Sequence, residues 1–209
     1  MGFHPEILTP RQRKTLRLLG PAVTGRGFYL GGGTALAIQL GHRRSVDFDW
    51  FLEGHIPDPL GLARDIQDEA PFLTTRIEPR TLFGTVSGIR VSFFEFRYPA
   101  LDPVVPWPEL GCELASLRDL ACMKLSAIVQ RGSKKDFIDL HALGMEGFPL
   151  SDMLGWYKAK FGVEDLGHVL YALAFFDDAD RERMPRMLRP DSWKEIKETI
   201  RTWAKQAGA

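Results

Sequence analysis

Leu30 to Phe51 read LGGGTALAIQLGHRRSVDFDWF. The stretch contains a strand end, a glycine turn, a short helix and a second strand. Gly27-Phe28-Tyr29-Leu30 is a short apolar run that stops at Gly31, Gly32 and Gly33, the pattern of a strand entering a tight loop. Thr34 is the expected N-cap of a helix over Ala35 to Leu40, which Gly41 ends. Ser45 to Leu52 then has the residue types of a strand, polar at its start and apolar at its end. Side chains alternate along a strand, so Asp47 and Asp49 fall on one face and Ser45 shares it. The apolar residues around them, Val46, Phe48, Trp50 and Phe51, predict that the other face lies against core.

Two carboxylates this close repel, and a shared hard cation resolves the repulsion. Magnesium takes oxygen ligands and pairs carboxylates with substrate phosphates. Upstream, the glycines let backbone N–H groups approach phosphate oxygens, and the helix start adds a favourable dipole. A phosphate loop ahead of a metal-binding pair suits a nucleoside triphosphate with Mg²⁺ or Mn²⁺. The pattern is neither a Rossmann fingerprint, since position 36 is Leu36, nor a Walker loop, since no Gly-Lys-Ser/Thr follows. Read alone, each piece has a bland alternative: two acids on a solvated strand, and a turn with no ligand.

Outward from this stretch, residues 8 to 19 predict a first helix that Pro21 and Gly25 interrupt. Residues 58 to 70 predict a second, and Thr74–Ile77, Thr81–Val86 and Ile89–Phe96 predict strands, with Ser87-Gly88 a hairpin turn. Ile89, Val91, Phe93 and Glu95 alternate, which sets Glu95 on an otherwise apolar face as a candidate third carboxylate. Pro99 to Pro108 reads as loop. It divides the chain into an α/β core over 1–108 and a helical part over 109–209, expected to pack on the core and complete the cleft.

In the helical part Ser116 opens a helix to about Gln130, and Lys134 to Leu143, 151 to 161 and 164 to 176 give further helices. Ser192-Trp193-Lys194-Glu195 is a capping box ahead of a last helix with Trp193, Ile196, Ile200 and Trp203 on one stripe. Lys124 falls on the apolar stripe formed by Leu117, Leu120, Ala121, Leu125 and Ile128. An inward lysine needs an anion, either a carboxylate or a phosphate. Asp136 and Asp139 lie one helical turn apart and share a face. Asp136 also suits the helix N-terminus. Arg43 and Arg44 have the bidentate fork that suits phosphate, and His42 at a helix end reads as a comfortable cation rather than a base.

The composition bounds the rest. The chain has 209 residues, 44% hydrophobic and 26% charged, enough for a real core. Lys+Arg and Asp+Glu are both 27, so bulk charge gives no sign of a basic nucleic-acid binder. Cys112 and Cys122 lack the number and spacing of a disulfide framework or zinc site. No apolar run is long enough to span a bilayer and no signal core opens the chain, so a cytoplasmic protein is expected.

Gly32-Gly33, Asp47-Phe48-Asp49-Trp50 and Phe94-Glu95-Phe96, in that order, resemble the polymerase-beta-like nucleotidyltransferase superfamily. More narrowly, Leu30 to Phe51 is similar to the first motif of the AbiEii/AbiGii-type toxin nucleotidyltransferases. Lys124 and Lys135-Asp136-Phe137-Ile138-Asp139-Leu140 match that family's later lysine and acidic motif. The resemblance covers roughly residues 28 to 143. It implies an α+β fold, a small mixed sheet flanked by helices followed by a helical part. It implies nucleotidyl transfer from an NTP to a hydroxyl, with RNA, and tRNA foremost, as acceptor, and a cognate antitoxin as partner. In the site it implies, Asp47, Asp49 and Glu95 hold metal. Gly31, Gly32, Gly33, Thr34, Ser45 and Arg43 meet the nucleotide. Lys124 neutralises phosphate, and Asp136 or Asp139 acts as base or organises the lysine. A small hydroxylated acceptor, or a non-catalytic nucleotide- or partner-binding domain of the same fold, are the competing readings.

Overall fold

The computed structural model describes residues 2–208, which form two compact units, Met1–Gln39 with Ser45–Ser116 and Leu40–Arg44 with Leu117–Ala209. The first unit is built on a seven-stranded mixed sheet. In chain order it holds α1 (Pro10–Thr24), β1 (Phe28–Leu30), α2 (Gly32–Leu40), β2 (Phe48–Glu53), α3 (Pro59–Glu69), β3 (Phe72–Glu78), β4 (Thr81–Val86), β5 (Ile89–Phe96), β6 (Val105–Trp107) and β7 (Cys112–Leu114). The strand order is β3-β4-β5-β2-β1-β7-β6, with β2–β5 and β1–β7 parallel and the other pairs antiparallel.

Alternation decides which sheet face becomes core. Phe48 and Trp50 on β2, Val91 and Phe93 on β5 and Leu82 and Val86 on β4 are all buried on one side. Helices α1 and α3 pack on strands of this sheet, and Phe28 and Phe72 meet the Phe93 ring edge-on at 5.4 and 5.9 Å. Burying a side chain such as Phe93 stabilises the fold by roughly 2–3 kcal/mol. Val46 is 63% exposed, because regular pairing of β2 starts only at Phe48.

Several elements differ from the sequence reading, among them the strand Cys112–Leu114 in the stretch expected to be helical. Helix α1 runs through Pro21 to Thr24, since Leu19, Ala22 and Val23 are buried and hold the last turn in place. Pro99 to Pro108 is not all loop: Val105–Trp107 pairs with β7 at the sheet edge, where Pro106 needs no ladder donor. Helix α2 starts at Gly32, not after Thr34, so the glycines form its first turn. The hairpin turn is as expected, with Ser87 and Gly88 both at positive φ (52° and 76°).

The second unit is helical: α4 (Leu117–Arg131), α5 (Lys134–Met145), α6 (Leu150–Phe161), α7 (Gly167–Ala174), α8 (Asp177–Arg181) and α9 (Trp193–Ala207). Helix α4 packs on α5, α6 and α7, and α9 closes against α5, α6 and α7. The Ser192–Glu195 capping box is formed, and Ile196 and Ile200 carry the buried stripe of α9. The segment Leu40–Arg44 belongs here. The Arg44 N–H donates to the Arg186 carbonyl at 2.8 Å and the Leu188 N–H to the His42 carbonyl at 2.9 Å.

Candidate active site

The site in the first unit is assembled on the sheet face opposite the core. Strand β2 presents Asp49 there, and the parallel register sets Asp49 beside Ser92 of β5. Just before the strand, Asp47 lies on the same side and receives a bidentate ion pair from Arg90, Nε to Oδ1 at 2.8 Å and Nη2 to Oδ2 at 2.9 Å. Both side chains face water, Asp47 at 32% and Arg90 at 72% exposure.

The glycine turn is fitted to these acids. The Gly31 N–H donates to the Asp49 carbonyl at 2.8 Å. Gly32 has φ +62°, and a Cβ there would lie 2.8 Å from Oδ2 of Asp49. Only glycine allows both the backbone twist and the close approach. Gly32→Ala is therefore expected to cost about 1–2 kcal/mol and to displace the Asp49 carboxylate. Thermal unfolding measures the first effect, and a loss of transferase rate larger than the stability change explains measures the second. The α2 first turn, Gly32 to Thr34, carries N–H groups that helix geometry leaves without intrahelical acceptors.

Thr34 and Ser45 act on the strand rather than on the open face. Buried Thr34 donates its hydroxyl to the Asp47 carbonyl and lies 2.8 Å from the Ser45 Oγ. Gln12 Nε2 donates to the Ser45 carbonyl at 2.8 Å. These bonds fix the chain entering β2 and with it the Asp47 carboxylate.

The second unit contains a buried charge cluster. Arg43 grips Asp139 with Nε and Nη2 at 2.6 and 2.8 Å, and His42 Nε2 lies 2.7 Å from the same carboxylate. Lys124 Nζ bridges Asp139 at 2.6 Å and Asp136 at 3.1 Å, and Arg131 forks onto Asp136 at 2.8 and 3.0 Å. Asp136, Asp139 and His42 have no solvent exposure, and Lys124 and Arg43 are 3% exposed. Burial opposes the charge on Asp139, but the Arg43 and Lys124 cations outweigh it and hold the carboxyl well below the usual range. Asp136 is lowered by Lys124 and Arg131 against the same burial penalty. Burial lowers the His42 pKa, against the pull of Asp139.

A family model described as nucleotidyl transferase AbiEii toxin, of type IV toxin–antitoxin systems, matches residues 17–205. The chain belongs to the AbiEii nucleotidyltransferase toxin family. The protein is thus a nucleotidyltransferase, and membership implies a nucleotide substrate and a cognate antitoxin. An uncharacterized protein of Aquifex aeolicus is 37% identical over 201 residues, 95% of this chain and 97% of the relative. Two solved structures share the fold at 15% identity. JHP933 from Helicobacter pylori has a TM-score of 0.54, over 93% of this chain and 89% of its own. MenT4, a nucleotidyltransferase toxin from Mycobacterium tuberculosis, has a TM-score of 0.56, over 93% and 82%.

Against the AbiEii motifs, the structure brings together Asp47, Asp49, the glycine turn, Thr34 and Ser45 in one unit, and Lys124, Asp136 and Asp139 in the other. It places two candidates elsewhere. Glu95 registers beside Leu52, on the core side of the sheet with Phe93, so it lies on the opposite face from the acid pair. There it accepts bonds from His55 and Arg97, which outweigh burial and lower its carboxyl. Arg43, expected on a phosphate, has its fork on Asp139 instead. Sequence reasoning missed Arg90. Its signal was present, since Arg90 alternates with Val91 and so lies on the polar face, but nothing local showed that β5 would run beside β2.

Proposed function

We propose that this AbiEii-family chain transfers a nucleoside monophosphate from a nucleoside triphosphate to a hydroxyl of RNA, tRNA foremost, using a divalent metal held by Asp47 and Asp49. The observation that carries this reading is the pair of carboxylates on one open face of β2, with the Gly32 turn against Asp49. Among the described residues no group of three His, Cys, Asp or Glu could hold a metal ion. Two carboxylates on one face nevertheless fit magnesium, which keeps several waters and takes one or two carboxylates together with substrate phosphates. Bound there, magnesium or manganese would neutralise triphosphate charge and polarise the α-phosphoryl group.

The acceptor hydroxyl attacks the α-phosphorus as its bond to the β-bridging oxygen breaks. Pyrophosphate leaves and the hydroxyl proton passes to water. First-turn N–H groups of α2 and its dipole favour the phosphates. Asp139 is a poor base, because it already accepts from Arg43, His42 and Lys124 and its ionised form is strongly favoured. Its role in this reading is to organise Lys124. For RNA rather than a small acceptor, the same sheet face offers Phe51, Phe83, Phe94 and Phe96, all partly exposed, with the Arg76 guanidinium 4.4 Å from the Phe83 ring centre. Aromatic rings and arginine on an open sheet suit unpaired bases. A cytoplasmic location fits such an acceptor, and among the described residues no helix is long and apolar enough to cross a membrane.

The test incubates the protein with Mg²⁺, each labelled nucleoside triphosphate in turn and total tRNA, with Asp47→Ala and Lys124→Ala alongside. Label on tRNA that both variants lose is the expected result. Nucleotide binding without labelled RNA would overturn the RNA acceptor in favour of a small molecule, and no nucleotide binding would overturn the site.

A further inference from the structure

Among the described residues no third acid stands beside Asp47 and Asp49: on this face of β2 the next acid is Glu53, four positions beyond Asp49. Along β5 the residues on this face are Arg90, then Ser92, then Phe94, and the register sets Ser92 beside Asp49 and Phe94 beside Phe51. Arg90 takes the place beside Asp47, with a guanidinium fork that covers both carboxylate oxygens. The position where a third carboxylate would strengthen a bare metal site thus holds a fixed positive charge.

That charge has opposite effects on two ligands. It repels a free divalent cation and competes for the Asp47 oxygens. It attracts a metal–triphosphate complex, whose net charge is negative, and its planar fork matches phosphate oxygens. The existing bond is easily exchanged, because an ion pair with one partner 72% exposed is screened by water and contributes little. Arginine also has the length and freedom to turn from the strand edge toward a ligand on the same face.

We propose that Arg90 couples metal entry to nucleotide entry: it holds Asp47 while no nucleotide is bound, and transfers its fork to the phosphates of the incoming nucleoside triphosphate. This rests on the reading of Asp47 and Asp49 as the metal-binding pair. It makes Arg90 a nucleotide-binding residue and explains how two carboxylates suffice, since metal and phosphates arrive as one ligand.

The test measures Mn²⁺ binding by the electron paramagnetic resonance signal of the free ion. It is run without nucleotide and with the α,β-methylene analogues of ATP, GTP, CTP and UTP, on the wild-type chain, Arg90→Ala, Arg90→Lys and Asp47→Asn. Without nucleotide, Arg90→Ala is expected to bind Mn²⁺ roughly three- to tenfold more tightly than wild type. With the preferred analogue it is expected to bind the metal–nucleotide complex roughly tenfold more weakly. Arg90→Lys, which keeps the charge without the fork, should stay near wild type for bare Mn²⁺ and fall between the two for the complex. Arg90→Ala that binds bare Mn²⁺ no more tightly, or the complex as tightly as wild type, overturns the exchange. If Asp47→Asn matches wild type in every arm, the metal pair itself is wrong and the proposal falls with it, a result distinguishable because the Asp47 control, not Arg90, reports it.

Discussion

Asp47→Asn is expected to lower nucleotidyl transfer by about 10³-fold or more while the protein stays folded. The change removes the negative charge from one of two carboxylates on the open face of β2. Losing several kcal/mol of transition-state stabilisation corresponds to that factor. Folding should change by no more than about 1 kcal/mol, because the bond lost is the exposed pair with Arg90. Asp49→Asn is expected to act on the rate in the same way. Glu95→Gln is the informative contrast. Its carboxylate is on the other face of the sheet with His55 and Arg97, so the transfer rate should stay within about threefold of wild type. Single-turnover rates and thermal unfolding of the three variants decide the matter. A Glu95→Gln loss as deep as that of Asp47→Asn would mean that the face assignment does not govern the chemistry.

The largest expected effect on stability is at Asp139. Asp139→Ala leaves Arg43 and Lys124 buried with half of their compensation gone, and is expected to cost about 3–5 kcal/mol. The double change Asp139→Leu with Arg43→Leu should recover much of this, since Lys124 keeps Asp136 and no charge is stranded. Urea unfolding of the single and double variants reads the coupling. A single variant as stable as wild type would show that the cluster contributes no net stability.

The same cluster sets the response to acid. The folded pKa of Asp139 lies below its ordinary value of 3.8, so its contribution is present above that value and is lost as pH falls toward the folded one. The folded pKa of His42 is below 6.5, so the unfolded chain takes up a proton that the folded chain refuses as pH drops below that value. Both signs agree. Stability should fall gently below about pH 6.5 and steeply below about pH 4, and the steep part should be shallower in Asp139→Asn.

Much of the site was legible locally. Period-two alternation alone put Asp47 and Asp49 on one face, and the three glycines announced a tight turn ahead of a helix. Helical period placed Lys124 among apolar residues and predicted an anion beside it, and Ser192 and Glu195 announced their own helix. These readings depend on residues a few positions apart, where backbone geometry fixes direction.

What the sequence left open was decided by register and by contacts between distant residues. Alternation showed that Glu95 lies with Phe93, but only the parallel pairing of β2 with β5 showed that this is the face turned away from Asp49, and that Arg90 is the residue beside Asp47. The anion for Lys124 is a pair of carboxylates rather than a phosphate within its own unit, and Arg43 reaches Asp139 across 96 positions of chain. Short strands at Val105–Trp107 and Cys112–Leu114 pair at a sheet edge, the first within a proline-rich run that reads as loop and the second within a stretch that reads as the start of the helical part. The physical reason is common to all of these. A strand's period fixes which of its side chains share a face, and a helix's period fixes its stripe, but the identity of the neighbour is set by the packing of the whole chain.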